Sequence, residues 1–304
     1  MIMFKKAHRY LKSPYYAFGD DLMKTHPHWM SDKYFIKVFW KQMMGYPLDL
    51  KCPMTFNEKL QWMKLYDRNP KYTDLVDKLK AKYWVAEKIG SEYVIPTLAV
   101  YDSVDDIRLE ELPEQFVLKC NHDSGGVVIC KDKGKFDFDA AKAKLKKSFE
   151  HNFYWDYREW AYKDVERKVF AEQYMQVPMQ DDLMDYKVFN FNGEPKLIQV
   201  DFDRFKSHKR NIYDTEWNFI DARIQFPNNP LYVIDKPKVL NEMLALASKL
   251  GSGFPHVRTD FYIINDRIYF GEMTFYHGAG FEKFIPESLG QEMGQWLVLP
   301  EKLC

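Results

Sequence analysis

The chain has 304 residues, with 44 basic and 44 acidic side chains and a formal net charge of zero at pH 7. Hydrophobic residues make up 46% and charged residues 29%, a balance typical of a folded chain and not of a disordered one. The balanced charge argues against a nucleic-acid-binding surface, and no apolar run reaches the roughly 18 residues of a membrane helix. The length suffices for about two domains.

The cysteines and the N-terminal segment bear on the compartment of the protein. The four cysteines are scattered and form no CxxC pair, which predicts free thiols and a cytoplasmic location. Residues 1–18 place basic side chains among aromatic ones and lack the continuous apolar stretch of a signal peptide. We expect a basic first helix packed on the domain, with at most peripheral membrane contact as the alternative.

The first part of the chain, about residues 20 to 90, has the pattern of a helical region. Thr55 followed by Glu58 is a capping box, which predicts a helix that runs to about Tyr66. The apolar periodicity of residues 73–89 predicts a second helix, with Gly90 as its end.

Beyond residue 90 the pattern changes to short strands and hairpins. Asp137 or Asp139 is positioned to cap a helix, and Gly251 to end another that starts at Pro237. Helices mixed with antiparallel hairpins indicate an α+β architecture. The predicted strands cover residues 94–101, 116–120, 127–131, 169–175, 185–191, 196–204, 257–264 and 268–274.

The last predicted hairpin brings two carboxylates together. A three-residue loop at 265–267 would place Asp260 opposite Glu272, whereas a two-residue loop would pair Asp260 with Gly271. Two facing carboxylates repel unless a cation lies between them. Mg²⁺ is one such cation, and the alternative is neutralisation by Arg258 on an exposed sheet.

A small glycine-rich turn follows the predicted strand that ends at Lys119. Ser124, Gly125 and Gly126 allow the backbone to approach an anion closely, and Lys119 supplies a point charge for a phosphate. The motif is not a Walker A loop, because the GxxxxGK[ST] pattern is absent. The alternative interpretation is an ordinary hairpin turn.

A second hairpin places two cations on one face. An Asn192-Gly193 turn of two residues pairs Lys187 with Ile198 and puts Lys187 and Arg204 on the same side of the strands. Such a pair of cations indicates an anionic ligand. The alternative is that both are paired with neighbouring aspartates.

Nine short segments follow one another along the chain in an order that is typical of a known family. Together they resemble the ATP-grasp superfamily, and most closely its TupA-like branch, over about residues 50 to 285. The resemblance implies an ATP-grasp fold with a helical N-terminal region at 1–75, a small lobe at 76–170 and a large lobe at 171–304. The segments are PMTFNEKLQW (53–62), DRNP (67–70), DK (77–78), FVLK (116–119), SGG (124–126), EQYM (172–175), DYKVF (185–189), VRTD (257–260) and GEMT (271–274).

The resemblance implies a bound ATP and assigns residues to it. Lys78 and Lys119 correspond to the family's two nucleotide-binding lysines, the second on the α-phosphate and adenine side. Ser124, Gly125 and Gly126 correspond to the loop that closes over the β- and γ-phosphates.

Two further nucleotide contacts follow from the resemblance. Glu172, Gln173, Tyr174 and Met175 match the segment between the lobes that binds adenine through backbone atoms. Lys187 matches a cation that faces the phosphates in many members.

The resemblance also implies Mg²⁺ as a cofactor. Asp260 and Glu272 match the two metal-binding carboxylates of the family. The family usually has asparagine two residues after the glutamate, and here the residue is Thr274. A hydroxyl is a poorer metal ligand than an amide oxygen, so the second metal position is weakened.

The activity implied is carboxylate–amine ligation through an acyl phosphate. Arg258 and Arg204 are candidates to hold the carboxylate and the transferring phosphoryl group, and His277 to assist deprotonation of the amine or to contact phosphate. The branch is found with surface-polysaccharide synthesis. This context implies a uronic-acid sugar nucleotide or polysaccharide precursor as one substrate and an amino acid or other amine as the second.

Two other functions are compatible with the sequence. A glycosyltransferase would use a DxD motif, and Asp201-Phe-Asp203 has that spelling, although no sugar-nucleotide domain precedes it. A non-catalytic nucleotide-binding protein would be consistent with the substitution at Thr274.

Overall fold

A computed structural model of the chain describes residues 28–123, 125–176, 183–203 and 207–301. Helices and antiparallel strands both occur in these ranges, as the sequence predicts. The helices are α1 (Asp32–Met44), α2 (Phe56–Tyr66), α3 (Lys71–Val76), α4 (Lys78–Ile89), α5 (Phe138–Glu150), α6 (Tyr154–Tyr157), α7 (Leu240–Gly251) and α8 (Glu287–Trp296). Short 3₁₀ turns include Trp160–Tyr162 and His277–Gly280.

The strands form two main antiparallel sheets and one small one. The strands are β1 (Thr97–Tyr101), β2 (Phe116–Cys120), β3 (Val127–Cys130), β4 (Val169–Gln173), β5 (Asp185–Phe191), β6 (Glu194–Phe202), β7 (Lys209–Tyr213), β8 (Phe219–Ile220), β9 (Arg223–Ile224), β10 (His256–Ile264), β11 (Arg267–Thr274) and β12 (Phe284–Ile285). The first sheet has the order β1-β4-β2-β3, the second β11-β10-β5-β6-β7-β8, and the third pairs β12 with β9.

The capping box at the start of α2 is present as predicted. The Thr55 hydroxyl accepts a hydrogen bond from the Glu58 amide, and the Glu58 carboxylate accepts one from the Thr55 amide at 2.9 Å. Each satisfies a donor that the first helical turn leaves free, which stabilises the helix by about 1 kcal/mol. The helix ends at Tyr66, where the sequence predicts its end.

The predicted helix over residues 73–89 is instead two helices that meet at Asp77. Asp77 has an extended backbone, and its carboxylate caps α4 by accepting from the Leu79 and Lys80 amides. The Lys78 amide donates to the Asn121 carbonyl at 3.0 Å. This tertiary hydrogen bond replaces the one that a continuous helix would make, and it fixes Lys78 at the start of α4.

Each main sheet has its own hydrophobic core. Leu145 of α5 packs with buried residues of β2 and β4 in the smaller core. The larger core joins the six-stranded sheet to the N-terminal helices and α7. The predicted boundary at residue 170 falls within β4, which pairs with β1 and β2 of the four-stranded sheet.

The middle hairpin has the predicted two-residue turn but a shifted register. Phe191 pairs with Glu194 across the Asn192-Gly193 turn, and an irregularity then follows between Phe189 and Asn190. Lys187 therefore pairs with Gln199 and not with Ile198 as predicted. The shift arises because β6 carries one extra residue at the irregularity.

The last hairpin reaches the predicted juxtaposition by an unexpected route. Its turn has two residues, because Ile264 pairs with Arg267 and both turn residues have positive φ. A bulge at Gly271 then shifts the register by one, so that Asp260 lies opposite Glu272. The expectation of a three-residue loop was wrong, and the pairing that it predicted is confirmed.

The described residues include three of the four cysteines but not the basic N-terminal segment. The described cysteines, Cys52, Cys120 and Cys130, are free thiols as predicted. Within the described ranges we find no helix of the length and apolarity that crossing a bilayer requires. The basic N-terminal segment at 1–18 lies outside the described residues.

Candidate active site

A cluster of buried charges lies on one face of the six-stranded sheet, where β10 runs between β5 and β11. Arg258 grips Asp260 with two hydrogen bonds, Nε to Oδ1 at 2.6 Å and Nη2 to Oδ2 at 2.7 Å. From β5, the Lys187 ammonium donates to Asp260 Oδ2 at 2.6 Å and to Asp185 at 3.0 Å. The register explains this convergence, because Lys187, Asp260 and Glu272 are cross-strand neighbours.

Arg258 also links Asp260 to the neighbouring strand. Its Nη2 donates to Glu272 Oε1 at 3.2 Å and to the Thr274 hydroxyl at 3.0 Å. The guanidinium therefore lies between the two carboxylates whose opposition the sequence predicts. The prediction placed such neutralisation on an exposed sheet, whereas Arg258 and Asp260 are buried here.

The cations determine the ionisation of this cluster. Burial alone would raise the pKa of Asp260, but Arg258 and Lys187 outweigh that effect and lower it. Burial likewise opposes the charge of Lys187, yet Asp185 and Asp260 raise its pKa. The buried groups are therefore held in their charged forms by one another.

His277 completes the shell of Arg258 from the turn that follows β11. Arg258 Nη1 lies 2.7 Å from His277 Nδ1. Because a guanidinium only donates, Nδ1 must accept, and the ring proton then resides on Nε2, 2.8 Å from the Glu282 carboxylate. Burial lowers the pKa of His277. Both ring nitrogens are thus engaged, an arrangement that suits a positioning role better than the predicted role as base.

A second buried arginine extends the network. Arg210 donates to both oxygens of Asp201, at 2.7 and 3.2 Å, and its Nη1 donates to Glu282 at 2.8 Å. Glu282 thereby connects this pair to His277 and, through it, to Arg258. The orientation of Arg258 is fixed by a chain of paired charges several residues long.

The carboxylate pair offers part of the ligand set that Mg²⁺ takes. Carboxylate and hydroxyl oxygens are the ligand class that this ion takes. The Glu272 side chain is 42% exposed, whereas both Asp260 oxygens already accept from cations. No group of three His, Cys, Asp or Glu side chains in the described ranges is arranged to hold a metal. The donor type fits Mg²⁺, and phosphate oxygens would be needed to complete the ligand set.

The four-stranded sheet carries a second charged group around Glu172. Its carboxylate lies between two lysines, in a close ion pair with Lys119 and at 3.0 Å from Lys82 Nζ. Burial would raise the pKa of Glu172, but the two lysines outweigh it and lower it. The sequence analysis missed Lys82, although its spacing of four residues from Lys78 places both on one side of α4.

The segment 173–175 leaves the sheet at the end of β4, an interior strand. The Gln173 amide donates to the Pro96 carbonyl at 3.0 Å, and the Gln173 side chain is exposed. Tyr174 and Met175 are partly buried. The ring of Tyr174 lies 6.0 Å from the Lys131 ammonium.

The glycine-rich loop is anchored by Lys78. The Lys78 ammonium donates a short hydrogen bond to the Asp123 carbonyl. Gly125 has a φ of +113° and is exposed, a conformation that favours glycine. A side chain at Gly126 would collide with Ser148 and Asp123. Ser124, and Arg204 of the other predicted cation pair, lie outside the described residues.

The sequence analysis missed two residues at the 3₁₀ turn Trp160–Tyr162. Burial raises the pKa of Tyr162 well above its usual value, with further contributions from Glu159 and Glu272, while Asp123 of the glycine-rich loop also acts on it. Tyr162 and Glu159 thus both lie within electrostatic reach of Arg258 and Glu272. The only sequence signal was an Arg-Glu pair inside an aromatic run at 154–162.

The comparison with protein families gives this arrangement its context. The family model described as TupA-like ATPgrasp matches residues 58–298. The chain belongs to the TupA-like ATP-grasp family. The predicted family and its α+β ATP-grasp fold are therefore confirmed.

Solved structures of three ATP-grasp proteins are similar to the chain at low identity. D-alanine–D-alanine ligase from Bacillus anthracis, complexed with ATP, matches 66% of this chain and 55% of its own at 18% identity and a TM-score of 0.38. The ATP-grasp ligase PsnB, complexed with a phosphomimetic precursor variant, Mg and ADP, matches 92% of this chain and 73% of its own at 10% identity and a TM-score of 0.42. A RimK domain protein from Sphaerobacter thermophilus DSM 20745 matches 76% of this chain and 70% of its own at 14% identity and a TM-score of 0.40.

The chain spans about half the length of the Bacillus anthracis ligase that it matches. No curated protein matches the chain.

Proposed function

We propose that this member of the TupA-like ATP-grasp family is an ATP-dependent carboxylate–amine ligase. The observation that carries the proposal is the pair Asp260 and Glu272, opposed across β10 and β11 with Arg258 between them. A phosphoryl-transfer site needs such a set: acidic ligands for a divalent ion and a guanidinium for the charge that develops on phosphate.

The reaction would proceed in two steps. The substrate carboxylate attacks the γ-phosphorus of ATP, the bond to the β-phosphate oxygen breaks, and an acyl phosphate and ADP form. An amine then attacks the acyl carbon, and phosphate leaves as the amide forms. The protein contributes positioning and charge neutralisation more than covalent chemistry.

Each lobe would hold part of the nucleotide. Lys78, Lys119 and the loop at Ser124, Gly125 and Gly126 would contact the phosphates. The segment 172–175 would bind adenine, and Lys187 would face the phosphates. Asp260, Glu272 and Thr274 would hold Mg²⁺, which would supply positive charge to neutralise the phosphates.

Arg258 would hold the substrate carboxylate or the transferring phosphoryl group, because its planar fork can grip either with two hydrogen bonds. Arg204 remains a second candidate for this task. His277 would act by holding Arg258 in place through the Nδ1 contact.

The substrates proposed are a uronic acid, carried on a sugar nucleotide or a polysaccharide precursor, and an amino acid or other amine, joined in the cytoplasm. The support for this choice is the family's association with surface-polysaccharide synthesis, which the sequence resemblance brings with it.

The glycosyltransferase alternative finds no support in the contacts of its candidate motif. Asp201 is buried and bound by both Arg210 Nε and Nη2, so its oxygens are committed to a guanidinium. Asp260 is paired with Arg258 in the same way, but it lies opposite Glu272, whose side chain is 42% exposed.

A screen for ADP release tests the proposed function. Purified protein is incubated with ATP, Mg²⁺, UDP-glucuronate or UDP-galacturonate and a panel of amino acids. We expect ADP only when a uronate and an amine are both present. Release of UDP in place of ADP would contradict the proposal and favour sugar transfer.

The variant Glu272→Ala should abolish ADP release while the protein stays folded. The Glu272 side chain is partly exposed, and it contacts Arg258 and Thr274 at 3.2 and 3.5 Å. Its loss should therefore change stability by less than about 1 kcal/mol. Circular dichroism checks the fold and a coupled assay checks ADP. The exposed Glu292→Ala serves as a matched control, and full turnover by Glu272→Ala would remove the metal assignment.

A further inference from the structure

Glu159 is a buried carboxylate that the reaction outlined above does not use. It precedes the 3₁₀ turn Trp160–Tyr162, and its carbonyl accepts from the Tyr162 amide at 3.1 Å. The residue is only 4% exposed. Within the described part of the chain we find no hydrogen bond to its carboxylate oxygens. A buried carboxylate without a donor is costly, so a donor that binds to Glu159 would stabilise it.

The nearest cation compensates Glu159 only in part. Lys64 is fully buried and interacts electrostatically with Glu159. Its ammonium donates to Gln61 Oε1 at 3.1 Å, to the Tyr157 carbonyl at 3.0 Å and to the Ala279 carbonyl at 2.7 Å. An ammonium has three N–H groups, and all three are used. Lys64 therefore offsets the charge of Glu159 but leaves its acceptor positions open.

Glu159 also lies within reach of the charges at the reacting centre. Arg258 and Glu272 both contribute to its electrostatic environment. The N–H groups of Arg258 are directed to Asp260, His277, Glu272 and Thr274. Within the described residues, Glu159 thus presents an anionic acceptor without a hydrogen bond, in the electrostatic surroundings of the arginine proposed to hold the substrate carboxylate or the phosphoryl group. A small cationic donor complements it, and a primary ammonium has both the charge and the N–H groups.

We propose that Glu159 forms the subsite for the amine nucleophile, binding it as an ammonium and accepting its first proton. This inference rests on the proposed ligase function. The ammonium loses one proton to the Glu159 carboxylate and becomes a neutral amine. Its nitrogen lone pair forms the C–N bond, and the C–O bond to phosphate breaks with its electrons leaving on phosphate. The second proton passes to that phosphate, which balances the step.

The electrostatics of the site suit this role. Burial raises the pKa of Glu159 to about 7, Lys64 acts in the opposite direction, and Asp156 and Glu272 add to the increase while Arg258 opposes it. Tyr157, Tyr162 and Tyr276 also interact electrostatically with Glu159. A base with a pKa near the working pH transfers protons most effectively.

The test compares two nucleophiles in Glu159→Gln. Hydroxylamine is largely neutral at pH 7 and traps acyl phosphates as hydroxamates, whereas glycine arrives as an ammonium. With ATP, Mg²⁺ and UDP-glucuronate, we expect the ratio of glycine amide to hydroxamate to fall by about 100-fold relative to wild type. An unchanged ratio would overturn the proposal.

Further variants separate this effect from misfolding. Glu159→Gln combined with Lys64→Met removes both buried charges, and the same loss in ratio is expected if the double variant folds. Glu159→Asp keeps the charge but withdraws it by one methylene, and it should recover part of the ratio. Glu166→Gln, an exposed glutamate paired with Lys168 on the same segment, is the matched control. A double variant that restores the wild-type ratio would contradict the proposal.

A binding measurement distinguishes failure of this subsite from failure of the ligase function. Methylammonium chloride should raise the melting temperature of the wild-type protein more than tetramethylammonium chloride, which has no N–H donor. Glu159→Gln should lose the difference. If methylammonium binds but no uronate supports ADP release, only the proposed substrate is wrong. If wild type shows no difference, the subsite is wrong whatever the reaction.

Discussion

At the scale of single residues, Asp260 controls the charge balance of the cluster. It accepts two hydrogen bonds from Arg258 and one from Lys187, all within 2.7 Å. The sequence predicted that Asp260 and Glu272 face each other, because strand periodicity sets which residues share a face. It offered neutralisation by Arg258 as an alternative but did not predict that Lys187 also binds Asp260, because such contacts depend on rotamers and on a bulge that alternation does not encode.

Asp260→Asn should destabilise the protein by about 3–5 kcal/mol, because it removes one carboxylate from two buried cations. Urea unfolding at pH 7 measures the change. Asp266→Asn, at the exposed hairpin turn, is the matched control and should cost less than about 0.5 kcal/mol. Equal stability of Asp260→Asn and wild type would show that the cluster is not a coupled set of ion pairs.

Glu282 should make the protein sensitive to acid. Burial opposes its ionisation, but His277 and Arg210 outweigh it and lower the pKa from 4.5 to about 2. A carboxyl whose pKa is lower in the folded state stabilises the protein above its unfolded pKa. That stability, on the order of 3 kcal/mol, is lost as pH falls from about 4.5 towards 2. Denaturant titrations across this window should therefore show a steeper loss for wild type than for Glu282→Gln. Parallel slopes would contradict the assignment.

At the scale of elements, irregularities in the hairpins place the site residues. Asn265 and Asp266 form a turn of two residues. Without the bulge, this turn would set Asp260 opposite Gly271. The sequence predicted both hairpins and their turns correctly in position. It could not locate the bulges, nor the break at Asp77, because each depends on contacts with distant parts of the chain, such as the Asn121 carbonyl.

Gly271→Val should disrupt the site through the bulge. A Cβ at this position would lie 3.1 Å from the Asp260 carbonyl oxygen, so the strands must shift. We expect a loss of about 1–3 kcal/mol in unfolding free energy, together with reduced ADP release. Gly134→Ala, on an exposed turn, is the control and should leave both nearly unchanged. Wild-type turnover in Gly271→Val would show that the register is not needed.

At the scale of the whole molecule, the two main sheets have separate hydrophobic cores. The N-terminal helices add Lys64 and Gln61 to the site through the turn at His277–Gly280. The sequence predicted these helices but gave no indication that they supply active-site residues. A helix signal describes its own amphipathic face, and the partner of that face is set by the fold.

ATP with Mg²⁺ should stabilise the chain as a unit, because a ligand that contacts both lobes is lost on unfolding of either. At a concentration of 100 times Kd, the gain is about 2.7 kcal/mol, which corresponds to a rise in melting temperature on the order of 5 °C. UDP-glucuronate alone should give a smaller shift. A larger shift with the sugar nucleotide than with ATP would instead favour a sugar-nucleotide site.

The most direct test of the account is whether one nucleotide is held by both sheets. Calorimetric titration with ATP and Mg²⁺ would compare wild type with Lys119→Met on the four-stranded sheet and Glu272→Ala on the six-stranded sheet. Lys196→Met, at a surface ion pair, is the control. We expect each site variant to weaken binding by about tenfold or more, since each removes a charge-assisted contact. Wild-type affinity in both variants would contradict a shared site.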